Sequence, residues 1–210
     1  MPMSKWINAG LRLIQQQLPC LLCGLDVVYK HRLCQHCWRQ LPIQPQVVIR
    51  QQQNIQVACQ YHYPLDRLIQ QFKYEQQLQY QQLLAGLLLE LKLPKVQALV
   101  PMPISTQRLT ERGYNQSVLI AQTLSQQLNI PVWQPIERLA QHSQKGLSRL
   151  ERMQGITQQF KAKTTLQKRY KKVLIIDDVV TTGSSILALS DALSTLGCTH
   201  IHAACIAAAD

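Results

Sequence analysis

Residues 173–185 constrain the fold of this chain more than any other part of its sequence. Four apolar residues, 173–176, precede the acid pair Asp177 and Asp178. Such a continuous apolar run predicts a strand that is buried on both faces, as in a parallel sheet. A short loop, 181–184, leads into a helical pattern that ends at Gly197. This order predicts an α/β fold with both acids at the carboxyl end of a strand, where open α/β sheets bind ligands.

The loop itself is rich in hydroxyl groups and contains Gly183. Backbone N–H groups, hydroxyls and the positive end of a helix together suit a phosphate group. Two carboxylates would repel a phosphate, so we expect Asp177 and Asp178 to accept hydrogen bonds from hydroxyls, such as those of a ribose, and to influence a nearby cation. The alternative is a strand, a turn and a capped helix with an incidental acid pair.

The sequence excludes two alternatives, the common nucleotide-binding loops and a receiver domain. The chain contains neither G-x-x-x-x-G-K-[ST] nor G-x-G-x-x-G, so the common nucleotide-binding loops are absent. A receiver domain also carries an acid pair after an apolar strand, but that pair lies near the start of its domain. Only 32 residues follow Asp178 here.

The composition limits which partners and which cellular location we expect for this protein. A chain of 210 residues holds one sizeable core and a small added module. The net charge of +11 favours a polyanionic partner, although charge alone does not separate nucleic acid from a membrane surface. Neither a transmembrane-length apolar run nor a clean signal peptide is present, so we expect a cytoplasmic location.

Four of the seven cysteines form two C-x-x-C pairs, Cys20 with Cys23 and Cys34 with Cys37. Each pair can hold one side of a tetrahedral zinc ion, and ten intervening residues suffice to return the chain. In a reducing cytosol this pattern favours metal binding over disulfides, with free or redox-active thiols as the alternative. Four cysteine ligands predict a closed structural Zn²⁺ site. We expect His36 to face solvent.

Outside these motifs, the spacing of apolar residues and the positions of proline and polar residues indicate the secondary structure. Residues 41–56 contain two prolines and a polar run and are interpreted as a linker or irregular edge, with a domain boundary near residue 50. This predicts an N-terminal helix and cysteine module over 1–50 and an α/β domain over 51–210. Cys59, Cys198 and Cys205 are expected to be packing residues. The predicted helices are 3–18, 64–72, 83–91 and 116–128, and the predicted strands are 57–63, 96–100, 131–133 and 200–209.

A second candidate ligand turn follows the strand predicted over 96–100. The prolines around Met102 force a sharply shaped turn at the strand's carboxyl end. Arg108 and Arg112 follow this turn, and we expect them near a phosphate, with Asn115 beginning the next helix. The alternative is a turn with both arginines in solvent.

Two segments before the acid strand are polar. Residues 142–149 predict a mobile loop over the site. An acid-free basic run then predicts a nucleic-acid contact, unless it is only a solvated face. The run consists of Lys161, Lys163, Lys168, Arg169, Lys171 and Lys172.

Residues 173–185 resemble the phosphoribosyl-diphosphate (PRPP) binding motif of type I phosphoribosyltransferases. The resemblance implies that Asp177 and Asp178 hold the ribose hydroxyls and that the turn at Met102 and Pro103 binds the diphosphate. It also implies that the loop after the acids wraps the 5′-phosphate. That loop comprises Val179, Val180, Thr181, Thr182, Gly183, Ser184 and Ser185, the last standing where many such motifs carry threonine.

The order of motifs over nearly the whole chain resembles ComF-family competence proteins. The shared parts are the two cysteine pairs and residues 72–74, 100–103, 112–116, 147–149 and 173–185. The resemblance implies a type I phosphoribosyltransferase-like parallel sheet flanked by helices, with a small N-terminal zinc-ribbon-like module. It also implies the uptake or processing of single-stranded DNA in natural transformation, in the cytoplasm, beside a DNA translocase or recombination-mediator protein. Some relatives are described as using DNA as a nutrient.

Two hypotheses of function remain from the sequence. In one, the protein is a DNA-uptake factor that binds PRPP or a related phosphoribosyl ligand. In the other, it is an active phosphoribosyltransferase that joins phosphoribose to a base, with Mg²⁺ neutralising the leaving diphosphate. The sequence contains no identifiable base-recognition hood, and this favours the first.

Overall fold

The computed structural model describes residues 18–139, 160–163 and 168–209. The helix predicted over 3–18 lies, apart from Leu18, outside the described residues, and so does the loop predicted over 142–149. Within the described part, no helix combines the length and the apolar character that crossing a membrane requires.

A five-stranded sheet forms the centre of the molecule, in the order β1-β2-β7-β6-β3. Its four strands β2, β7, β6 and β3 run parallel, and only the edge strand β1 is antiparallel to its neighbour. The predicted α/β fold with a mainly parallel sheet is therefore confirmed. The strands are β1 (Ile43–Arg50), β2 (Gln53–Gln60), β3 (Ala98–Pro101), β6 (Lys172–Val180) and β7 (His200–Ala208). A separate antiparallel pair consists of β4 (Ile136–Arg138) and β5 (Phe160–Ala162).

Helices cover both faces of the sheet, which explains the apolar run of β6. Leu174 and Ile176 pack into one buried cluster with α2, α3 and α5. Val173 and Ile175 pack into a second cluster with α6 on the other face. The residues on both faces of β6 are therefore buried, as expected for a central parallel strand. The helices are α1 (Gln35–Arg39), α2 (Leu65–Tyr74), α3 (Gln81–Leu88), α4 (Thr106–Arg112), α5 (Gln116–Leu128) and α6 (Ser184–Thr195), and Leu78–Tyr80 forms one 3₁₀ turn.

Of the two interpretations of residues 41–56, a linker or an irregular edge, the linker interpretation is wrong, and the segment supplies an edge of the sheet. They form β1 and the start of β2, paired as an antiparallel hairpin. The polar residues that suggested a linker lie on an exposed edge strand, where Pro45 is tolerated beside a register shift. The domain boundary predicted near residue 50 falls in the turn of this hairpin, and the division into two domains stays a prediction.

Two strand predictions differ in extent from the structure. The strand β6 continues beyond the apolar run to Val180, and Asp177 and Asp178 lie within its last four residues, at the carboxyl end as predicted. The strand predicted over 131–133 is reduced to a single bridge between Val132 and Leu99. The helix predicted over 116–128 is confirmed, and Asn115 caps it by accepting from the backbone N–H groups of Ser117 and Val118.

Candidate functional site

A small hollow of about 60 Å³, the loop cavity, lies at the carboxyl end of β6. It is lined by Asp177 and by residues 179–186, the loop and first turn of α6. The residue preceding α6, Gly183, adopts a left-handed conformation (φ +77°) and offers no side chain as a cap. The N–H of Ser184 donates to Thr182 Oγ1 (3.4 Å), and the first turn of the helix lines the loop cavity, where its positive end suits an anion.

A larger cavity of about 190 Å³, the central cavity, adjoins the loop cavity through Asp177, Val179 and Ser185. Together the two cavities are lined by every residue that the sequence assigned to PRPP. The central cavity brings both acids together with Met102, Pro103, Arg108 and Arg112. These residues come from two stretches that are far apart in sequence, 102–112 and 177–178, and the parallel pairing of β3 with β6 brings them together.

The two acids have different environments. The Asp178 side chain is 5% exposed and its Oδ1 lies 2.8 Å from Nζ of Lys73 on α2, whereas its Oδ2 is buried without a hydrogen-bond partner among the described residues. The Asp177 Oδ1 accepts hydrogen bonds from Ser117 Oγ (3.1 Å) and from the backbone N–H of Asp178 (2.9 Å). Asp178 is therefore anchored by an ion pair, whereas Asp177 is held by neutral hydrogen-bond donors.

The protonation of this site follows from its charges and burial. Burial of the Asp177 carboxyl, followed by the charge of Asp178, raises the pKa of Asp177 to about 7. Burial lowers the pKa of Lys73, but the charge of Asp178, the hydrogen bond to it and the charge of Asp177 together outweigh burial, and the pKa ends above its usual value. The site thus holds a permanent Lys73 cation beside a carboxyl group that ionises near neutrality.

Arg112 is held over the central cavity by two neighbours. Its Nη2 donates to Tyr74 Oη (3.3 Å), and its guanidinium lies 4.8 Å from the centre of the Tyr74 ring. Its Nη1 donates to Gln116 Oε1 (3.1 Å). These contacts orient the guanidinium before any ligand is bound, which reduces the entropy lost on binding.

The hairpin β1–β2 directly contacts the loop over residues 181–184. Arg50 Nε donates to the backbone oxygen of Thr181 (3.0 Å). A Cβ at position 183 would lie 2.6 Å from the Arg50 Cβ. Glycine is therefore required at position 183 by this close approach as well as by its positive φ.

Sequence reasoning gave no role to five residues of the central cavity: Lys73, Tyr74, Ile104, Gln116 and Arg138. Lys73 and Gln116 belong to the segments 72–74 and 112–116 that carry the family resemblance, but no role was given to either. Arg138 lies on β4, where a three-residue strand gave no signal of its own. Burial and the charge of Arg108 lower the pKa of Arg138, while Asp177 raises it, so these charges share one site.

The four cysteines of the two pairs converge. Their Sγ atoms all lie within 4.8 Å of one another, and those of Cys23 and Cys34 are 3.8 Å apart. With Zn–S bonds of about 2.3 Å, the edges of a tetrahedral S₄ site are about 3.8 Å. Burial raises the pKa of Cys20, but the hydrogen bonds of neighbouring backbone groups outweigh it and lower the pKa to about 6. The cluster therefore fits one metal ion, while His36 is exposed as predicted.

The cysteine module packs against the α/β core. Cys20, Leu33 and Cys34 belong to the same buried cluster as α2 and α3. Lys30 Nζ lies 2.8 Å from a carboxylate oxygen of Glu90, just beyond α3. A Cβ at Gly86 would lie 2.3 Å from the ring of His31, so only glycine leaves room for this contact. The module and the core are thus expected to share stability.

The basic run is not brought together as one patch. Lys161 and Lys163 lie on and beside β5, and Lys163 lines a cavity behind the turn at Pro103. The second group lies at the amino end of β6, opposite the loop cavity, and all four of its side chains are exposed. It comprises Lys168, Arg169, Lys171 and Lys172.

Comparison with known proteins identifies related sequences. Residues 115–210 match the family model described as phosphoribosyl transferase domain. The chain is 34% identical to competence protein F of Haemophilus influenzae, over 87% of this chain and 81% of that protein. It is 29% identical to the DNA utilization protein YhgH of Escherichia coli K12, over 89% of this chain and 82% of that protein.

Solved structures with some likeness are more distant. A glutamine PRPP amidotransferase from B. subtilis, complexed with ADP and GMP, matches with a TM-score of 0.42 at 15% identity. That match covers 58% of this chain, which spans only a quarter (25%) of the amidotransferase chain. A purine phosphoribosyltransferase from Pyrococcus horikoshii Ot3 matches with a TM-score of 0.30 at 18% identity, over 70% of this chain and 73% of the other.

Proposed function

This chain belongs to the competence protein F family and carries a phosphoribosyltransferase domain, and from that premise we propose that it acts in the uptake or processing of single-stranded DNA while binding PRPP or a related phosphoribosyl ligand. We place this work in the cytoplasm, beside a DNA translocase or recombination-mediator protein. The relatives named for competence and for DNA utilization support the cellular role.

The observation that carries the ligand assignment is the joining of the loop cavity to the central cavity at Asp177. The first offers hydroxyls and helix N–H groups to a terminal phosphate. The central cavity offers Arg108, Arg112 and Arg138 to a diphosphate. Its acids, Asp177 and Asp178, are placed to accept hydrogen bonds from ribose hydroxyls that lie between the terminal phosphate and the diphosphate. A ligand with a phosphate at each end of a ribose matches this order of groups.

Two metal ions complete the proposal. The four clustered thiols suit a structural Zn²⁺, which would fix the fold of the cysteine module. The carboxylate of Asp177 and the unpartnered Oδ2 of Asp178 are oxygen ligands of the kind Mg²⁺ accepts alongside a diphosphate. Mg²⁺ would neutralise diphosphate charge when bound.

The ligand assignment predicts that PRPP with Mg²⁺ raises the melting temperature, because it binds only the native state. At about 100 times the Kd the gain is roughly 2.7 kcal/mol of stability. Asp177→Asn should lose most of this gain, since an amide is a weaker acceptor for ribose hydroxyls than a carboxylate. With a pKa near 7, Asp177 should also make the gain in the unmodified protein grow from pH 6 to 8 relative to the variant.

Asp191→Asn is the matched control for this thermal-shift experiment, because Asp191 is exposed on α6 and outside both cavities. Its PRPP response should equal that of the unmodified protein. An unchanged response in Asp177→Asn would place the ligand elsewhere.

The DNA assignment predicts charge-dominated binding of single strands. Affinity should fall with salt by about 0.7 log units per phosphate contact, per log unit of salt. Reversing Lys168, Arg169, Lys171 and Lys172 to Glu should remove binding and reduce this slope, while the PRPP response survives because these residues lie at the opposite end of β6. The same variant should lose transformation in a host that depends on the protein.

A second variant, with Lys161 and Lys163 reversed, tests the other half of the run. Arg39 and Arg67, reversed in the same way, are its matched control, because both are exposed and lie outside the run. Unaltered DNA affinity and wild-type transformation in the four-residue variant would show that its side chains form only a solvated surface.

A further inference from the structure

A third cavity of about 450 Å³, the side cavity, lies between α4, α5 and β4. It shares Pro103, Ile104 and Arg138 with the central cavity, so the two spaces meet at the proposed diphosphate site. Lys163, a member of the basic run, lines it as well. The side cavity therefore connects the two regions that the proposed function assigns to PRPP and to DNA.

The walls of the side cavity combine apolar surface with amide groups. Val118 and Ile136 lie on its walls, and Gln122 and Gln134 lie at its exposed margin. Neither glutamine makes a side-chain hydrogen bond within the part of the chain that the structure describes. Apolar walls with free amide edges are the chemistry with which proteins hold an unstacked base.

The charges of the residues that line the side cavity favour a base over a phosphate as its occupant. Glu137 is exposed and lines the cavity beside Arg138 and Lys163. A carboxylate repels phosphate oxygens but accepts hydrogen bonds from the exocyclic amino groups of bases. A neutral ring with a polar edge therefore fits the interior, and a backbone phosphate fits beside Lys163.

We propose that the side cavity is a nucleobase-binding site that accepts one base of single-stranded DNA, with the adjoining phosphate at Lys163. This inference rests on the proposed DNA binding and adds to it a pocket beside the phosphoribosyl site. Binding then has two components, a salt-dependent one from the backbone and a base-dependent one from this cavity.

The test compares a single-stranded oligonucleotide with an abasic oligonucleotide of the same length and charge, at one salt concentration. The ordinary strand should bind about tenfold more tightly, the discrimination typical of a well-placed base contact. Gln134→Trp should abolish this ratio by filling the cavity from its margin, without weakening binding of the abasic strand. Gln126→Trp is the matched control, because Gln126 is exposed on α5 and outside the cavity.

Each other outcome overturns the inference in a recognisable way. Equal affinity for both strands, with the salt dependence intact, would overturn the base site and leave the proposed DNA binding standing. A tenfold ratio that survives Gln134→Trp would place the base elsewhere. Absence of binding to either strand would overturn the base site and the proposed function together. The PRPP response of Gln134→Trp should match that of the unmodified protein, which confirms that the variant is folded.

Discussion

Asp178→Asn should lower the free energy of unfolding by about 3 kcal/mol, the lower end of the range for breaking one side of a buried ion pair. Lys73 Nζ lies 2.8 Å from Asp178 Oδ1, and the two side chains are only 17% and 5% exposed. The substitution leaves the Lys73 cation buried without its partner. Asp177 limits the loss, because its pKa falls when the charge of Asp178 is removed and it ionises more readily beside Lys73.

Chemical denaturation of a double-mutant cycle measures this effect. Lys73→Met combined with Asp178→Asn should recover part of the loss, since no unpaired charge remains. Asp191→Asn, on the exposed face of α6, should change stability by less than about 0.5 kcal/mol. A loss below about 1 kcal/mol in Asp178→Asn would mean that the pair contributes no more than an exposed one. The same destabilisation makes Asp177→Asn the better variant for testing ligand binding.

Cys34→Ser should reduce bound zinc from one equivalent to almost none and lower the melting temperature of the whole protein. Structural zinc in small metal-dependent peptides contributes about 10–16 kcal/mol of apparent binding free energy at neutral pH. If the module predicted over 1–50 were independent of the domain over 51–210, loss of zinc would loosen the module alone. The packing of Cys20, Leu33 and Cys34 into the cluster of α2 and α3 predicts a shared loss instead.

Metal analysis and thermal unfolding of protein purified without chelators test this prediction. His36→Ala is the matched control, because His36 lies between Cys34 and Cys37 but is exposed. It should retain full zinc content and the original melting temperature. Zinc near zero in the unmodified protein would contradict the metal assignment, and an unchanged melting temperature in zinc-free Cys34→Ser would contradict the shared core.

The sequence by itself determined the parts of this protein that depend on local pattern. The apolar run of β6 identified a doubly covered strand, because both alternating faces must be buried in a parallel sheet. The spacing of the cysteines identified one cluster of four thiols that fits a metal ion, since a C-x-x-C pair can form one side of a tetrahedron. Asn115 identified a helix start because its short side chain reaches the first free N–H groups.

Tertiary structure alone decided what depends on long-range pairing. Sequence reasoning did not identify the hairpin β1–β2, because an edge strand needs no alternating apolar pattern. The hairpin bears on the site through the contact of Arg50 with Thr181. Lys73 is separated from Asp178 by more than a hundred residues, so no local signal could join them. The basic run was divided because Lys161 and Lys163 belong to the separate β4–β5 pair, whereas the other four residues lie at the amino end of β6. Spacing along a chain defines local groups, whereas burial and charge in the folded state decide which of those groups meet.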